Sequence, residues 1–179
     1  MNISFYDASV SPMKKAVSNL RDIMKMGQQY AADNGLSEQD VLAKKLADDM
    51  LDLAKQIYLA KALGSDQGLL RVVGLEPSPS PADIATFADA DAALAAMLVD
   101  LDSIDATAFD KAMMSPVFCT LPPGCAHFND CLTFVQQWAV PHVYFHVTTA
   151  YCILRNMGVP LGKKNYLGSL EMEMVPHAK

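Results

Sequence analysis

The chain has few charged residues, fewer basic than acidic ones, and no long hydrophobic run. Charged residues make up 19% of its 179 residues, and 14 basic against 20 acidic side chains leave a formal net charge of -6. A protein of this charge lacks the cationic surface on which nucleic-acid binding depends. No apolar run approaches the roughly 20 residues of a membrane-spanning helix, and residues 1–11 do not form a basic segment followed by an apolar core. We therefore expect a cytoplasmic protein whose partners include neither nucleic acid nor a membrane.

Cysteine is also scarce, and the four cysteines lack the C-x2-C spacing of zinc knuckles. Three of them, Cys119, Cys125 and Cys131, lie close to His127 in the sequence. The reducing cytoplasm disfavours a disulfide between Cys119 and Cys125. We expect incidental cysteines in this segment, and a structural zinc site is the less favoured alternative.

Hydrophobic residues, in contrast, make up 51% of the sequence. A chain of 179 residues is long enough to bury one complete core and too short to favour a second domain. We expect one domain over residues 1–168, followed by a flexible tail over residues 169–179.

The apolar residues have a helical spacing in four stretches, because they recur at steps of three and four. The predicted helices cover about residues 11–34, 45–73, 87–104 and 130–157. The first could instead begin near Ser4 and bend at Pro12, and the last should bend at Pro141. Ser37 and Asp40 predict a short capped turn of helix before the second long helix.

Two of the connections have recognisable sequences. Residues 75–81 carry prolines at alternate positions, which exclude a helix and predict a stiff loop. The helical period is absent over residues 106–128, where residues 116–121 predict a short strand that turns at Pro122-Pro123-Gly124. Four long helices without alternating strands predict an all-α four-helix bundle, with a small β-hairpin near residues 117–128 before the last helix.

Two of the four histidines lie one helical turn apart on the last predicted helix. His142 and His146 are within about 40° of each other around the helix axis. The same face carries small and apolar residues such as Ala139, Ala150 and Ile153, so it should point into the bundle, where helical proteins build metal sites. A stable divalent metal needs at least three protein ligands. The pair is therefore half of a candidate site.

A third ligand could come from the second helix. This helix has a predicted buried stripe, formed by Leu46, Met50, Leu53, Ile57 and Ala60. Asp49 and Gln56 lie at the edge of the stripe, about 60 to 80° from its centre, and could reach inward. The charged residues on the rest of the helix predict an ordinary solvated face; they are Asp48, Asp52, Lys55 and Lys61.

The alternative to a metal site is a pair of core histidines that hydrogen-bond to buried polar groups such as Thr149 or Asp49. A carboxylate beside an imidazole suits both interpretations, either as a ligand or as an acceptor that orients the ring. Both interpretations stay open at this stage.

Four segments carry a resemblance to a known family. They are YDASV (6–10), LADDM (46–50), FHVTTAY (145–151) and GVPLGK (158–163). The chain resembles, over about residues 1–168, the domain of unknown function numbered one-nine-nine-three, and the C-terminal motif is specific. That family is similar to the DinB/YfiT-like metalloenzyme superfamily, four-helix bundles that are often dimers and include zinc- or nickel-binding hydrolases and thiol transferases.

The resemblance also implies a site. In these bundles the metal is bound by one histidine from helix two and by a His-x-x-x-His pair from the last helix. His142 and His146 correspond to the pair, whereas no histidine occurs over residues 41–74. Asp49 or Gln56 would have to substitute for the missing ligand.

Two functions follow as expectations. The first is a metal-dependent hydrolase or thiol transferase that acts on a small molecule, with zinc or nickel bound by His142, His146 and Asp49 or Gln56. The second is a non-catalytic homodimer, a binding or structural bundle in which the two histidines complete a buried hydrogen-bond network. The sequence leaves open whether the protein is an enzyme.

Overall fold

The protein is a helical bundle in the computed structural model, which describes residues 3–121 and 124–172. The helices are α1 (Phe5–Asp33), α2 (Glu38–Leu42), α3 (Leu53–Lys61), α4 (Leu70–Val73), α5 (Phe87–Asp102), α6 (Ala106–Ala112), α7 (Cys131–Phe134), α8 (Val140–Asn156) and α9 (Lys163–Leu167). Two π-helical segments, Ala62–Leu69 and Val135–Ala139, join α3 to α4 and α7 to α8. Strands β1 (Val117–Leu121) and β2 (Gly124–Phe128) form an antiparallel hairpin.

Four long helical segments enclose the core. Helix α1 packs against α5 and α8, and α3 packs against the same two helices, so α1 and α3 lie at opposite corners of the bundle. The buried faces of the long helices consist mostly of aliphatic, methionine and phenylalanine side chains, as the spacing of apolar residues predicts. The predicted all-α four-helix bundle with a small hairpin before the last long helix is confirmed. In the described part of the chain, no helix combines the length and the apolar character needed to cross a membrane.

Helix α1 begins at Phe5 and not near residue 11. The Ser4 side chain caps the helix, because its hydroxyl accepts a hydrogen bond from the Asp7 backbone N–H at 3.0 Å. Pro12 lies inside α1, where it removes one backbone hydrogen-bond donor. Of the two predicted starts, the one near Ser4 is therefore correct.

The second bundle helix begins later than the predicted residue 45, at Leu53. The Asp52 carboxylate accepts a hydrogen bond from the Lys55 N–H at 2.8 Å, and a side-chain cap of this kind ends the preceding loop. The Leu53 N–H donates to the Lys44 carbonyl at 2.8 Å, which closes that loop. The predicted buried stripe is therefore wrong at Leu46, which is 43% exposed, and correct from Leu53 onward.

The two π-helical segments bring the second and last bundle helices close together. The first of them has a non-helical residue, Gly68 (φ -95°, ψ -108°), and the second ends two residues before Pro141. A Cβ atom at Gly64 would overlap the Val143 side chain, and one at Gly68 would lie 2.5 Å from the Leu63 carbonyl oxygen. Gly64 therefore permits a close contact with α8 that a larger residue would block, whereas Gly68 permits the backbone conformation of its own segment.

Lys61, which was expected on the solvated face, is 3% exposed. Its Nζ atom lies 2.6 Å from Asp66 Oδ1 and 3.3 Å from Asp100 Oδ2. Asp100 Oδ1 also accepts a hydrogen bond from the Ser78 N–H at 2.7 Å. The expectation is wrong because the second bundle helix packs against α5 as well as α8, so more than one of its faces is buried. The network ties this helix to α5 and to the proline-rich loop.

Helix α6 corrects the expectation that residues 106–128 contain no helix. Asp105 caps it by accepting a hydrogen bond from the Ala108 N–H at 2.7 Å, and Phe109 is fully buried with its ring centroid 4.7 Å from that of Phe5. Two turns of helix are too short for the sequence to display a repeating period. The predicted hairpin that follows is confirmed, whereas Pro122 and Pro123 of its predicted turn lie outside the described residues.

The C-terminal segment after α8 runs back along α1. The short α9 contacts α1, and the Lys15 Nζ donates a hydrogen bond to the Ser169 carbonyl at 2.7 Å. Residues 173–179, most of the expected flexible tail, lie outside the described residues. The described part of residues 169–179 has no regular secondary structure.

We predict that Lys61→Met lowers the free energy of unfolding by about 3 to 5 kcal/mol, because it leaves the Asp100 carboxylate buried without its cation. The double variant Lys61→Met/Asp100→Asn should recover part of this loss, since an amide is neutral and still accepts from Ser78. Urea unfolding at neutral pH measures both. Lys55→Met is the matched control, because Lys55 is exposed and should change the free energy by less than about 1 kcal/mol. Equal losses in the single and double variants would contradict the interpretation.

Candidate functional site

Helix α8 carries His142 and His146 on one face. Their ring centroids are 6.2 Å apart and the ring planes are inclined by 27°. His146 is 5% exposed, and His142 is half-buried. The predicted pair therefore exists as a pair of neighbouring, nearly parallel imidazoles.

Gln56 on α3 determines the tautomer of His146. The Gln56 side chain is 2% exposed, and its Nε2 donates a hydrogen bond to the Leu51 carbonyl at 3.0 Å. This leaves its Oε1 to accept from His146 Nδ1–H at 2.7 Å. Because Nδ1 carries the proton in a neutral imidazole of this kind, His146 Nε2 is a bare acceptor.

A backbone carbonyl has the same effect on His142. The His142 Nδ1 lies 2.8 Å from the Trp138 carbonyl oxygen, which can only accept, so Nδ1 carries a proton and, in the neutral ring, Nε2 is again an acceptor. The Trp138 ring packs on His142 with 4.3 Å between centroids. Trp138 is absent from the residues that the sequence patterns indicate, although its position four residues before His142 is a usable signal.

The two imidazoles line a pocket of about 490 Å³, within the usual range for small-molecule sites. The other residues that line it come from the second and last bundle helices; they are Leu59, Leu63, Gln137, Pro141 and Phe145. None of these side chains carries a formal charge at neutral pH. Apart from the two ring nitrogens and the Gln137 amide, the pocket is therefore an apolar space.

Burial lowers the pKa of His146 from 6.5 to about 4, and the neighbouring His142 contributes a smaller effect in the same direction. A protonated imidazole at this position would be a charge in an apolar environment. His146 is therefore neutral at physiological pH.

The remaining predicted site residues are not beside the pair. Asp49 is exposed, in the loop before α3, since that helix begins after it. The Thr149 hydroxyl donates to the Phe145 carbonyl at 2.8 Å and not to a histidine. Within residues 3–121 and 124–172, no three His, Cys, Asp or Glu side chains are grouped in a way that could bind a metal ion. Of the four predicted metal ligands, only His142, His146 and Gln56 come together.

The cysteine segment does not form a cluster either. Cys119 and Cys131 are buried, whereas Cys125 and His127 are exposed. In the hairpin, Cys119 pairs with Ala126, and Cys125 pairs with Thr120, so Cys119 and Cys125 face opposite sides. All four cysteines are free thiols.

The lowered pKa of His146 predicts how stability depends on pH in the metal-free protein. Between pH 6.5 and about 4 the unfolded chain binds a proton at this residue that the folded chain does not. The stabilisation is therefore complete above the unfolded pKa and is lost as the pH falls toward the folded pKa. The expected loss is about 2 to 3 kcal/mol.

Urea unfolding at about pH 7 and about pH 4.5 measures this loss. His146→Gln is the matched variant, because it does not titrate and its amide can still donate to Gln56. The variant should lack this part of the pH dependence. Identical pH dependence in the variant and the wild-type protein would exclude His146 as the cause.

Comparison with known proteins agrees with this architecture. The family described as Domain of unknown function (DUF1993) matches residues 5–167 of the chain. A solved structure of a DinB family member protein from Shewanella denitrificans is similar, with a TM-score of 0.79 and 27% sequence identity over 95% of each chain. No curated protein matches the sequence.

The family match extends over the four bundle helices, the hairpin and the histidine pair. The related structure has the same helical architecture over nearly the whole length of both chains. Both comparisons confirm the resemblance noted in the sequence. The chain belongs to the DUF1993 family and has the fold of a DinB family protein.

Proposed function

We propose that the protein is a non-catalytic binding bundle whose pocket between the second and last bundle helices holds a small molecule. The observation that carries this proposal is the state of the two imidazoles. Each Nδ1 donates to a carbonyl oxygen, of Gln56 in one case and of Trp138 in the other. Both Nε2 atoms are therefore available to a ligand in the pocket that His142 and His146 line.

The hydrogen bonds of the described residues favour a binding role for His146 in addition to a structural one. In the described residues, every fully buried side-chain nitrogen or oxygen has a hydrogen-bond partner. The His146 Nε2 has no partner among the hydrogen bonds of these residues, so it is not sealed in the core and must open toward the pocket. A ring nitrogen that opens to the pocket can accept a hydrogen bond from a ligand there.

A metal-dependent hydrolase or thiol transferase is the second candidate. It is favoured by the two Nδ1 hydrogen bonds, because metal-binding histidines usually donate their other N–H to a carbonyl or carboxylate. The Nε2 atoms of His142 and His146 would bind the zinc or nickel ion. A third protein ligand is lacking in the described residues, since Asp49 is exposed and Gln56 Oε1 already accepts from His146. The site fits such an ion incompletely, and we assign no catalytic step to a metal.

Elemental analysis separates the two candidates. Protein purified without an affinity tag or a chelator should contain far less than one equivalent of zinc or nickel per chain, because two imidazoles alone bind these ions weakly. One equivalent that disappears in the His146→Gln variant would overturn the proposal and favour the metal-dependent enzyme.

The proposal includes a homodimer and a cytoplasmic location. The dimer is supported by apolar side chains that the bundle helices leave exposed outside the pocket, among them Tyr58 and Val99. The location is supported by the four free thiols.

Light scattering tests the dimer. At micromolar concentration the expected mass is twice the 19.4 kDa of the chain. Tyr58→Lys and Val99→Lys place a charge on α3 and α5 respectively, and the variant that reduces the mass identifies the associating face. A wild-type mass equal to one chain would exclude the dimer.

A further inference from the structure

We propose that the pocket selects an uncharged, largely apolar molecule that carries a hydrogen-bond donor, such as a hydroxyl group. This inference rests on the proposed binding function and specifies its ligand class. Three features of the pocket carry it: the acceptor character of its ring nitrogens, the absence of charge in its lining, and the apolar character of its walls.

The ring nitrogens decide the polar part of the ligand. A bare imidazole Nε2 accepts a hydrogen bond and cannot donate one. His142 and His146 both present this atom, because their N–H groups are already used by the Trp138 and Gln56 oxygens. A carbonyl, ether or carboxylate group placed against either nitrogen would find no donor there. A hydroxyl group would complete the hydrogen bond.

The lining decides the charge of the ligand. The described residues place no Lys, Arg, Asp or Glu side chain among those that line the pocket. The nearest lysines along the second helix are engaged elsewhere, since Lys61 is paired with Asp66 and Asp100, and Lys55 is exposed beside Asp83. A ligand carboxylate or ammonium group would lose its hydration without gaining a counter-charge, which is costly in an apolar space.

The apolar walls of the pocket favour a ligand with an apolar body. Leu59 and Leu63 form the side that belongs to the second bundle helix, and Pro141 and Phe145 form the side that belongs to α8. An aromatic or aliphatic body would remove these surfaces from water and gain free energy in proportion to the area covered. Phe145 is exposed, so it stands at the mouth of the pocket and can pack on such a body.

Four small probes of similar shape test the inference: benzyl alcohol, toluene, benzylammonium and benzoate. Trp138 is the single tryptophan of the chain and packs on His142, so its fluorescence reports on the pocket, and saturation-transfer NMR provides an independent readout. Benzyl alcohol should bind about fivefold more tightly than toluene, the expected effect of one net hydrogen bond. Benzylammonium and benzoate should bind more weakly than benzyl alcohol.

Two variants assign the effect to the site. His142→Phe/His146→Phe keeps a ring at each position and removes both acceptors, so it should weaken benzyl alcohol about fivefold and leave toluene unchanged. His127→Phe changes an exposed histidine of the hairpin, outside the pocket, and should have no effect on either probe.

The failures are distinguishable. If neither readout detects any of the four probes, the binding function and this inference are both overturned. If a charged probe binds as tightly as benzyl alcohol, or toluene binds equally well, the binding function stands and the ligand class proposed here is wrong.

Discussion

The hydrogen bond between the Gln56 and His146 side chains is the constraint from which the geometry of the candidate site follows. A buried imidazole must find a partner for its N–H, because an unsatisfied buried donor costs about 1 to 3 kcal/mol. Gln56 supplies that partner at 2.7 Å and is itself held by the Leu51 carbonyl at 3.0 Å. The loop before α3, the first turns of α3 and the middle of α8 are therefore tied together. This hydrogen bond orients the His146 ring so that Nε2 points toward the pocket.

The second bundle helix has a polar tie on each side. Gln56 binds it to α8 through a neutral hydrogen bond, and Lys61 binds it to α5 through the Asp100 carboxylate. Apolar side chains alone would permit this helix to slide or rotate with little change in buried area, because hydrophobic contacts are non-directional. Two directional contacts about one and a half turns apart remove that freedom. Gly64 adds to this, since the absence of a Cβ atom lets the π-helical segment that follows α3 approach Val143 of α8 closely.

The sequence predicts the bundle well because its strongest signal, the recurrence of apolar residues at steps of three and four, is also what buries the helices. It fails where a local side-chain contact ends an element. Asp52 caps α3 and excludes Leu46 from the helix, although Leu46 continues the apolar period. It also fails for the buried Lys61, whose partner Asp100 is 39 residues away in the chain. The apolar period does not indicate such a pairing, because the pairing arises only when α5 packs beside the second helix.

The candidate site could also be predicted from the sequence only in part. The pairing of His142 and His146 follows from helical geometry alone, and an inward Gln56 follows from its position at the edge of the apolar stripe. Asp49 was an equally good candidate by angle, and only the late start of α3 excludes it.

The identity of the residue that reaches His146 has a chemical consequence. A carboxylate in this position would stabilise the imidazolium and raise the pKa of the histidine. An amide accepts the same hydrogen bond without adding a charge, so burial dominates and lowers the pKa of His146 to about 4. Gln56 therefore influences the pocket through its hydrogen bond to His146. It orients the imidazole without adding a charge, so the buried ring stays neutral and presents an acceptor to the pocket.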